Sequence, residues 1–328
     1  MTGVCINARE ADGPEPVRPN MQGGLSVHSP RSDLLPSVAI AFGAALWGLY
    51  WIPVRGIEQA GVHTFWTGPV IFGFSVILFL PLVLLRLRDF AAHWQHTLVP
   101  GLLTGCAFSL YIASLNLTDV VRAILLFYMS PLWSTLLGIL VLKERLTGNR
   151  ALALLLAFCG LYVVLVVESG LPIPRNTGDW FALVSGLCWS VASVRLFQDG
   201  ARFIIEKVTM FVFFALVMSL LLVLWQQGSL AGMPAIEDLA RGWYWIALVA
   251  ILMLPITYLT IWPATVLSPG RVGMLLMVEV VVGVASAAAL TDEQFGLREL
   301  GGALLIISAG VVEVLRQQKN AVVEPLND

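Results

Sequence analysis

Residues 120–164 read VVRAILLFYMSPLWSTLLGILVLKERLTGNRALALLLAFCGLYVV, two long apolar runs separated by a short charged turn. The runs cover residues 121–142 and 150–168, and three adjacent charged residues lie between them at 143–145. A helix that crosses a membrane needs about 20 mostly apolar residues, because a rise of about 1.5 Å per residue has to cover about 30 Å of hydrocarbon. This stretch therefore predicts two consecutive membrane-spanning helices.

The composition of the whole chain agrees with a membrane protein. Of 328 residues, 58% are hydrophobic and 12% are charged, whereas an average soluble domain has about 25% charged residues. Mean hydropathy is +0.84. So few charges cannot cover the surface of a soluble enzyme, and a formal net charge of −2 gives no reason to expect nucleic-acid binding. The predicted environment is a lipid bilayer.

The same pattern of apolar runs and short polar breaks continues from Leu34 onward. Helices are favoured because each satisfies its own backbone polar groups, and barrel strands would alternate every second residue, which the runs do not. The predicted fold is an all-α integral membrane protein with ten transmembrane helices. They are expected at residues 36–54, 66–86, 98–117, 121–142, 150–168, 179–197, 208–226, 243–262, 270–290 and 299–316.

The two ends of the chain differ from the spans. Residues 1–33 carry four prolines and mixed charges without apolar periodicity, which predicts a disordered tail, and either Met1 or Met21 could be the start. Residues 317–328 form a second predicted tail. Ten spans put both termini on one side, and the Lys and Arg bias of the loops, nine against five, indicates the cytoplasmic side. The predicted location is the cell membrane.

The halves of the chain resemble each other. A shift of 149 positions places Arg122 on Arg271 and Glu144 on Glu293, and a shift of 142 places Trp47 on Trp189. Each half, 34–168 and 169–316, would hold five helices. Because five is odd, the second half enters the membrane from the opposite side, so the repeat is predicted to be inverted. Inverted repeats typically hold a substrate near the midplane, between the halves.

The segment that corresponds to the opening stretch is SPGRVGMLLMVEVVVGVASAAALTDEQFGLRELGGALLIISAGVV, residues 268–312. With this pairing, residues 36–316 resemble the EamA-type members of the drug/metabolite transporter superfamily. The resemblance implies a secondary transporter, often an exporter of amino acids or other small metabolites. The family typically has Glu-Pro inside the ninth helix. Here Glu279 is followed by Val280, so the usual cause of a kink is missing, while the first half has Ser130 and Pro131 at the equivalent places.

Glu279 is the principal candidate for chemistry, because it is a carboxylic acid near the middle of the ninth span. Placing a charge there costs about 2.5–3.5 kcal/mol on insertion scales, and low dielectric favours the protonated form of a carboxyl group. The first hypothesis is a proton-coupling or substrate-amine site. The alternative is a protonated carboxyl group that bonds a neighbouring helix.

Five aromatic residues at depth complete the predicted substrate site around Glu279: Trp47, Tyr111, Tyr128, Trp189 and Tyr258. Such a cavity would suit planar or amphipathic solutes, since aromatic faces stack on rings and hold cations. The alternative is that these side chains pack between helices. Six tryptophans nearer the span ends fit an interfacial belt: Trp51, Trp66, Trp180, Trp225, Trp243 and Trp245.

Two alternatives to transport are an intramembrane enzyme and a non-transporting receptor or scaffold. An intramembrane enzyme would need a paired nucleophile and base, two aspartates or metal ligands within the spans, and all four histidines lie outside the predicted spans. A non-transporting receptor or scaffold would be better supported by a soluble signalling domain. No metal or cofactor is predicted. The expected partners are a small-molecule substrate, the lipid bilayer and a proton for coupling, with the chain as a monomer or a homodimer.

Overall fold

The computed structural model describes residues 30–118, 120–165, 174–227, 232–290 and 296–322, and the regular elements in these ranges are helices. In chain order they are α1 (Pro30–Gly48), α2 (Trp51–Gln59), α3 (Thr64–Leu85), α4 (Leu87–Leu117), α5 (Val120–Phe127), α6 (Ser130–Leu142), α7 (Gly148–Leu165), α8 (Thr177–Asp199), α9 (Ile204–Gln227), α10 (Ile236–Arg241), α11 (Trp243–Ala264), α12 (Pro269–Leu276), α13 (Val278–Leu290) and α14 (Leu297–Val322).

Eight helical stretches within the described ranges are long and apolar enough to cross a membrane. They match eight predicted spans, and are Leu34–Gln59, Thr64–Leu85, Leu87–Leu117, Arg122–Leu142, Thr177–Asp199, Ile204–Gln226, Trp243–Ala264 and Pro269–Leu290. The predicted fifth and tenth spans correspond to the shorter apolar stretches Gly148–Val163 and Leu300–Glu313. The all-helical class is confirmed, and the count of ten spans stays a prediction.

The predicted tails lie mostly outside the described residues. Helix α1 already begins at Pro30, before the predicted boundary at residue 33, and α14 continues to Val322, beyond residue 316. Residues 1–29 and 323–328 are not described.

The fourth and ninth spans are each built from two helices that meet at a break inside the apolar stretch, and the first span likewise divides into α1 and α2 after Gly48. In the fourth span, α5 ends at Phe127 and α6 begins at Ser130, with Pro131 in its first turn. In the ninth span, α12 ends at Leu276 and α13 begins at Val278, although no proline is present there. The chain passes this second break through a 3₁₀-type turn, in which Met277 N donates to Met274 O at 3.2 Å and Val280 N donates to Met277 O at 3.1 Å.

The helices pack so that the two breaks lie against glycines of other spans. Helix α4 packs along α8 and α9, α7 packs along α14, and α1 packs along α11 and α13. A Cβ atom on Gly48 of α1 would lie 2.6 Å from the Glu279 carbonyl oxygen, and one on Gly186 of α8 would lie 2.6 Å from the Phe127 carbonyl oxygen. These distances are below van der Waals contact, so only glycine fits at either place.

The helix bundle has two polar faces. We call the one that contains the start of α1 the N-terminal face, and the other the opposite face. At the N-terminal face, Ser37 bonds Arg271. The opposite face contains the turn between α2 and α3 and the start of α8, where Asp179 bonds Arg122. Between these faces lies the largest cluster of buried apolar side chains among the described residues, drawn mainly from α1, α3, α8, α9, α11 and α12, with Ile57 of α2 and Ala107 of α4.

Candidate functional site: a cavity beside Glu279

Glu279 lies in the first turn of α13, directly after the break in the ninth span. Its side chain is half-buried and forms part of the wall of a cavity. The Tyr128 hydroxyl, which comes from the break in the fourth span, donates a hydrogen bond to Glu279 Oε2 at 2.8 Å. This tyrosine–carboxyl pair thus joins the two spans at their breaks.

The cavity has a volume of about 520 Å³ and is formed mainly by α1, α2, α3, α4 and α13. This volume lies in the usual range for sites that hold small molecules. Trp47, Phe108 and Glu279 form its inner part, and its wall continues to Arg55 and Glu58 of α2. The cavity therefore extends from the middle of the helix bundle toward the opposite face.

Aromatic rings make up much of the inner wall. Trp47 and Phe108 have ring centroids 4.6 Å apart, and Tyr111 and Phe127 have centroids 4.3 Å apart. The Trp47 indole is fixed further by its Nε1, which donates to Thr260 Oγ1 at 3.0 Å. These contacts hold flat apolar surfaces next to one carboxyl group, which is an arrangement that can bind a planar solute bearing an amine.

Five of the six predicted site residues lie together. Trp47, Tyr111, Tyr128 and Glu279 line the main cavity. Trp189 lines a smaller adjoining hollow of about 50 Å³, which also borders Trp47, Tyr111 and Glu279.

Tyr258 does not line either space. It lies on α11 and stacks on Trp262, with ring centroids 6.2 Å apart. Thr260 of the same helix lines the smaller hollow instead. Residues two positions apart on a helix point in directions that differ by about 200°, so α11 cannot present both side chains to the same space. Depth along the span, on which the prediction rested, does not determine which side of the helix a residue occupies.

Two of the predicted interfacial tryptophans belong to the interior. Trp51 lines the cavity, and its Nε1 donates to Ser286 Oγ at 3.0 Å. Trp66 is 5% exposed and packs in the core. By contrast, Trp180, Trp225 and Trp243 are more than half exposed, as expected for a belt. The break between α1 and α2, after Gly48, is the feature that turns Trp51 inward, and Pro53 in the first turn of α2 has no N–H to donate to Leu49 O across it.

The N-terminal face is closed below the cavity by a polar network centred on Arg150 of α7. Arg150 donates to Glu144 Oε2 at 2.6 Å and to Ser268 Oγ at 2.6 Å, and its Nε lies 3.7 Å from Glu313 Oε1. The Arg150 side chain is only 7% exposed. The network therefore joins the starts of α7 and α12 to α14 and to the turn that follows α6.

A related contact closes part of the opposite face. Arg122 donates to Asp179 Oδ2 at 2.5 Å, and Thr118 donates to Asp179 Oδ1 at 2.7 Å. The charged residues singled out by the repeat thus act as structural ties: Arg122 here, and Arg271 and Glu144 at the N-terminal face. Glu293, the fourth of them, lies outside the described residues.

The proteins that this chain resembles in sequence are described as transporters. Residues 35–166 match the EamA-like transporter family. Curated relatives include an uncharacterized transporter of Vibrio cholerae, 40% identical over 23% of this chain and 25% of its own length, and the uncharacterized transporter YojE of Bacillus subtilis, 28% identical over 36% of this chain and 43% of its own. The chain thus spans less than half the length of the curated relatives it matches.

A solved structure, titled only as a crystal structure of a protein, shares the fold. It aligns with a TM-score of 0.63 at 20% sequence identity, over 87% of this chain and 98% of the other. The chain is a multi-pass helical membrane protein with an internal cavity. Residues 35–166 are similar to the EamA-like transporter family, and the predicted resemblance to EamA-type proteins is confirmed over this segment.

Proposed function

We propose that the protein is a secondary transporter that moves a small amphipathic or aromatic metabolite, such as an amino acid, across the cell membrane by alternating access, with export as its direction. The observation that carries the proposal is the 520 Å³ cavity, which ends on Glu279 and aromatic rings at the centre of the bundle. It continues toward one face, while the other face is tied by the Arg150 network. One open and one closed end is what a transporter needs in each of its two states.

We further propose the inverted repeat of ten spans, and pairs of matching contacts support it. Arg271 bonds Ser37 at 2.7 Å, and Arg122 bonds Asp179 at 2.5 Å. A shift of 149 positions relates the two arginines, and a shift of 142 relates Ser37 to Asp179. The two contacts lie at opposite faces, as a two-fold axis in the membrane plane requires.

A second pair of contacts obeys the same two shifts. Gly48 packs against the Glu279 carbonyl oxygen, and Ser190 Oγ donates to the Ser130 carbonyl oxygen at 3.0 Å. Gly48 and Ser190 differ by 142 positions, and Ser130 and Glu279 by 149. In both halves, the first span of one half therefore supports the broken fourth span of the other.

The substrate is to be found by a thermal-shift screen of the purified protein with amino acids and aromatic amines, followed by flux of the best compound into proteoliposomes. We expect Ala at Trp47 or Tyr111 to reduce that flux strongly. The matched control is Tyr258→Ala, which removes the same ring as Tyr111→Ala at a place outside the cavity and should leave flux per folded molecule near the wild-type value.

The outcomes separate the candidate functions. Saturable flux that depends on Trp47 and Tyr111 supports a transporter with this cavity. Binding without flux in well-sealed vesicles would favour a receptor, and chemical conversion of the added compound would favour an intramembrane enzyme. Full flux in both cavity variants would move the substrate site elsewhere.

A further inference from the structure

Tyr128 lies at the break in the fourth span, and its side chain reaches the break in the ninth span. It follows the last residue of α5, its backbone N donates to Ile124 O at 2.9 Å, and its side chain is 1% exposed. Its hydroxyl oxygen lies 2.8 Å from Glu279 Oε2 and 3.3 Å from the Leu276 carbonyl oxygen. Two acceptors therefore compete for a single hydroxyl proton.

The Leu276 carbonyl oxygen needs a donor from outside its own helix. Leu276 is the last residue of α12, and the carbonyls of a last helical turn have no partner within that helix. In a continuous helix Val280 N would donate to Leu276 O, but here it donates to Met277 O at 3.1 Å. The Tyr128 hydroxyl is within reach, yet 3.3 Å is beyond the usual range of an O–H···O bond. The Tyr128 hydroxyl proton is therefore donated to Glu279 Oε2, which lies 2.8 Å away.

The protonation of Glu279 changes this arrangement. An ionised carboxylate only accepts hydrogen bonds, so the Tyr128 hydroxyl must donate to it. A protonated Glu279 can itself donate to the Tyr128 oxygen, and the tyrosine proton is then released to bond Leu276 O. One proton taken up from the cavity thus adds a hydrogen bond at the break between α12 and α13.

We propose that Tyr128 is the positioning residue that links proton binding at Glu279 to the break in the ninth span. It bonds Glu279 when the carboxyl is charged, and it tightens the break through Leu276 when the carboxyl is neutral. The inference rests on the proposed transporter function and on the hypothesis that Glu279 is its proton-coupling site. It adds how one proton is transmitted to the backbone of the ninth span.

Among the described residues around Glu279, Tyr128 is the one seen to donate a hydrogen bond to that carboxyl group. Helix α1 faces it with Trp47 and Gly48, which do not titrate, and α4 contributes Tyr111 to the cavity wall. Arg55 and Glu58 of α2 line the outer part of the cavity. Helix α14 also packs on α13, but its Glu313 lies beside Arg150 at the N-terminal face.

The test is hydrogen–deuterium exchange of the full-length protein in lipid nanodiscs, followed in peptides that cover residues 275–282. Glu279→Gln imitates the neutral carboxyl group and can donate to Tyr128 at every pH. We expect it to slow exchange at the break about fivefold relative to wild type at alkaline pH, which is the equilibrium factor of one ordinary hydrogen bond. Wild type should approach the Glu279→Gln rate as the pH is lowered.

Tyr128→Phe keeps the ring and removes the hydroxyl. At each pH, the break in this variant should therefore exchange faster than the break in Glu279→Gln. In the double variant, Glu279→Gln should have no further effect, because the link is gone. Tyr162→Phe, which removes a hydroxyl from an exposed side chain on α7, is the matched control and should behave as wild type.

Two results would overturn the inference. One is an unchanged or faster exchange in Glu279→Gln alone, which does not depend on how well Tyr128→Phe folds. The other is an equal slowing by Glu279→Gln with and without the Tyr128 hydroxyl. Because no substrate is used, these results are independent of the flux assay. A protein that shows the exchange response but no substrate flux would contradict the proposed transport function and would still support the link from Glu279 through Tyr128 to Leu276.

Discussion

At the scale of single residues, Glu279 is the only carboxylic acid that the sequence predicts near the middle of a span, and it borders the cavity. We predict that Glu279→Gln abolishes accumulation driven by an imposed pH gradient and spares downhill exchange, because glutamine keeps the shape and hydrogen bonding but cannot release a proton. Flux into proteoliposomes with and without the gradient measures both. Glu237→Gln, which removes an exposed carboxylate from α10, is the control.

A full response of Glu279→Gln to the gradient would contradict its coupling role. A wild-type protein that ignores the gradient would instead indicate a facilitator that runs downhill.

Arg150 is the second residue for which the structure predicts the effect of a substitution, in this case on stability. Its guanidinium bonds Glu144 and Ser268 and lies beside Glu313, whose side chain is 2% exposed. Removing one partner of a buried ion pair leaves the other charge buried, at a cost of about 3 kcal/mol. We therefore predict that Arg150→Gln lowers the free energy of unfolding by about this amount, measured by denaturant titration in mixed micelles. Arg145→Gln, an exposed neighbour, should change it by less than about 0.5 kcal/mol.

At the scale of the helices, the approach of α1 to α13 depends on Gly48. A Cβ atom there would meet the Glu279 carbonyl at 2.6 Å and Gly283 N at 3.0 Å, so Gly48→Ala must push α1 away from the broken span. We predict a loss of about 1–3 kcal/mol, as for other overpacked sites, detected as a lower unfolding midpoint.

Gly301→Ala is the matched control on α14, since no atom lies within 4 Å of its added Cβ. It should be neutral or slightly stabilising, because alanine has the higher helix propensity. Equal midpoints for the two variants would mean that α1 and α13 can separate without cost.

The positions of the helices can be predicted from the sequence, whereas the break in the ninth span cannot. Hydropathy located the apolar runs, because each run is long and its composition is uniform on all sides. It did not locate the break at Met277, which has no proline and depends on tertiary contacts of Leu276 with Tyr128 and of Glu279 with Gly48.

The same limit applies to the candidate site. Trp47, Tyr111, Tyr128 and Glu279, which the sequence singles out by their depth in the spans and by a rare charge, line the cavity, and their role in substrate binding stays a prediction. Tyr258 lines neither of the two spaces described, and a helix that is apolar all round gives no signal of which side faces a cavity. Trp51 was missed because a broken first span turns it inward.

At the scale of the whole molecule, we predict that the N-terminal face is cytoplasmic, from the bias of Lys and Arg toward its loops. In a variant without native cysteines, Met233→Cys before α10 should react with an impermeant thiol reagent in intact cells. Arg202→Cys, in the turn between α8 and α9, should react only after the cells are opened. The reverse pattern would invert the orientation and leave the fold unchanged.

The broken ninth span has an electrostatic consequence for the whole cavity. Because α13 begins at Val278, the positive end of its helix dipole lies at the cavity wall rather than in water at the membrane surface. The same first turn carries Glu279, so one short segment offers a carboxyl group to a cation and the positive end of a helix dipole to an anion. A solute with both charges on one small head group can use both. We therefore expect phenylalanine to bind more tightly than phenethylamine, which has the same ring and amine but lacks the carboxylate.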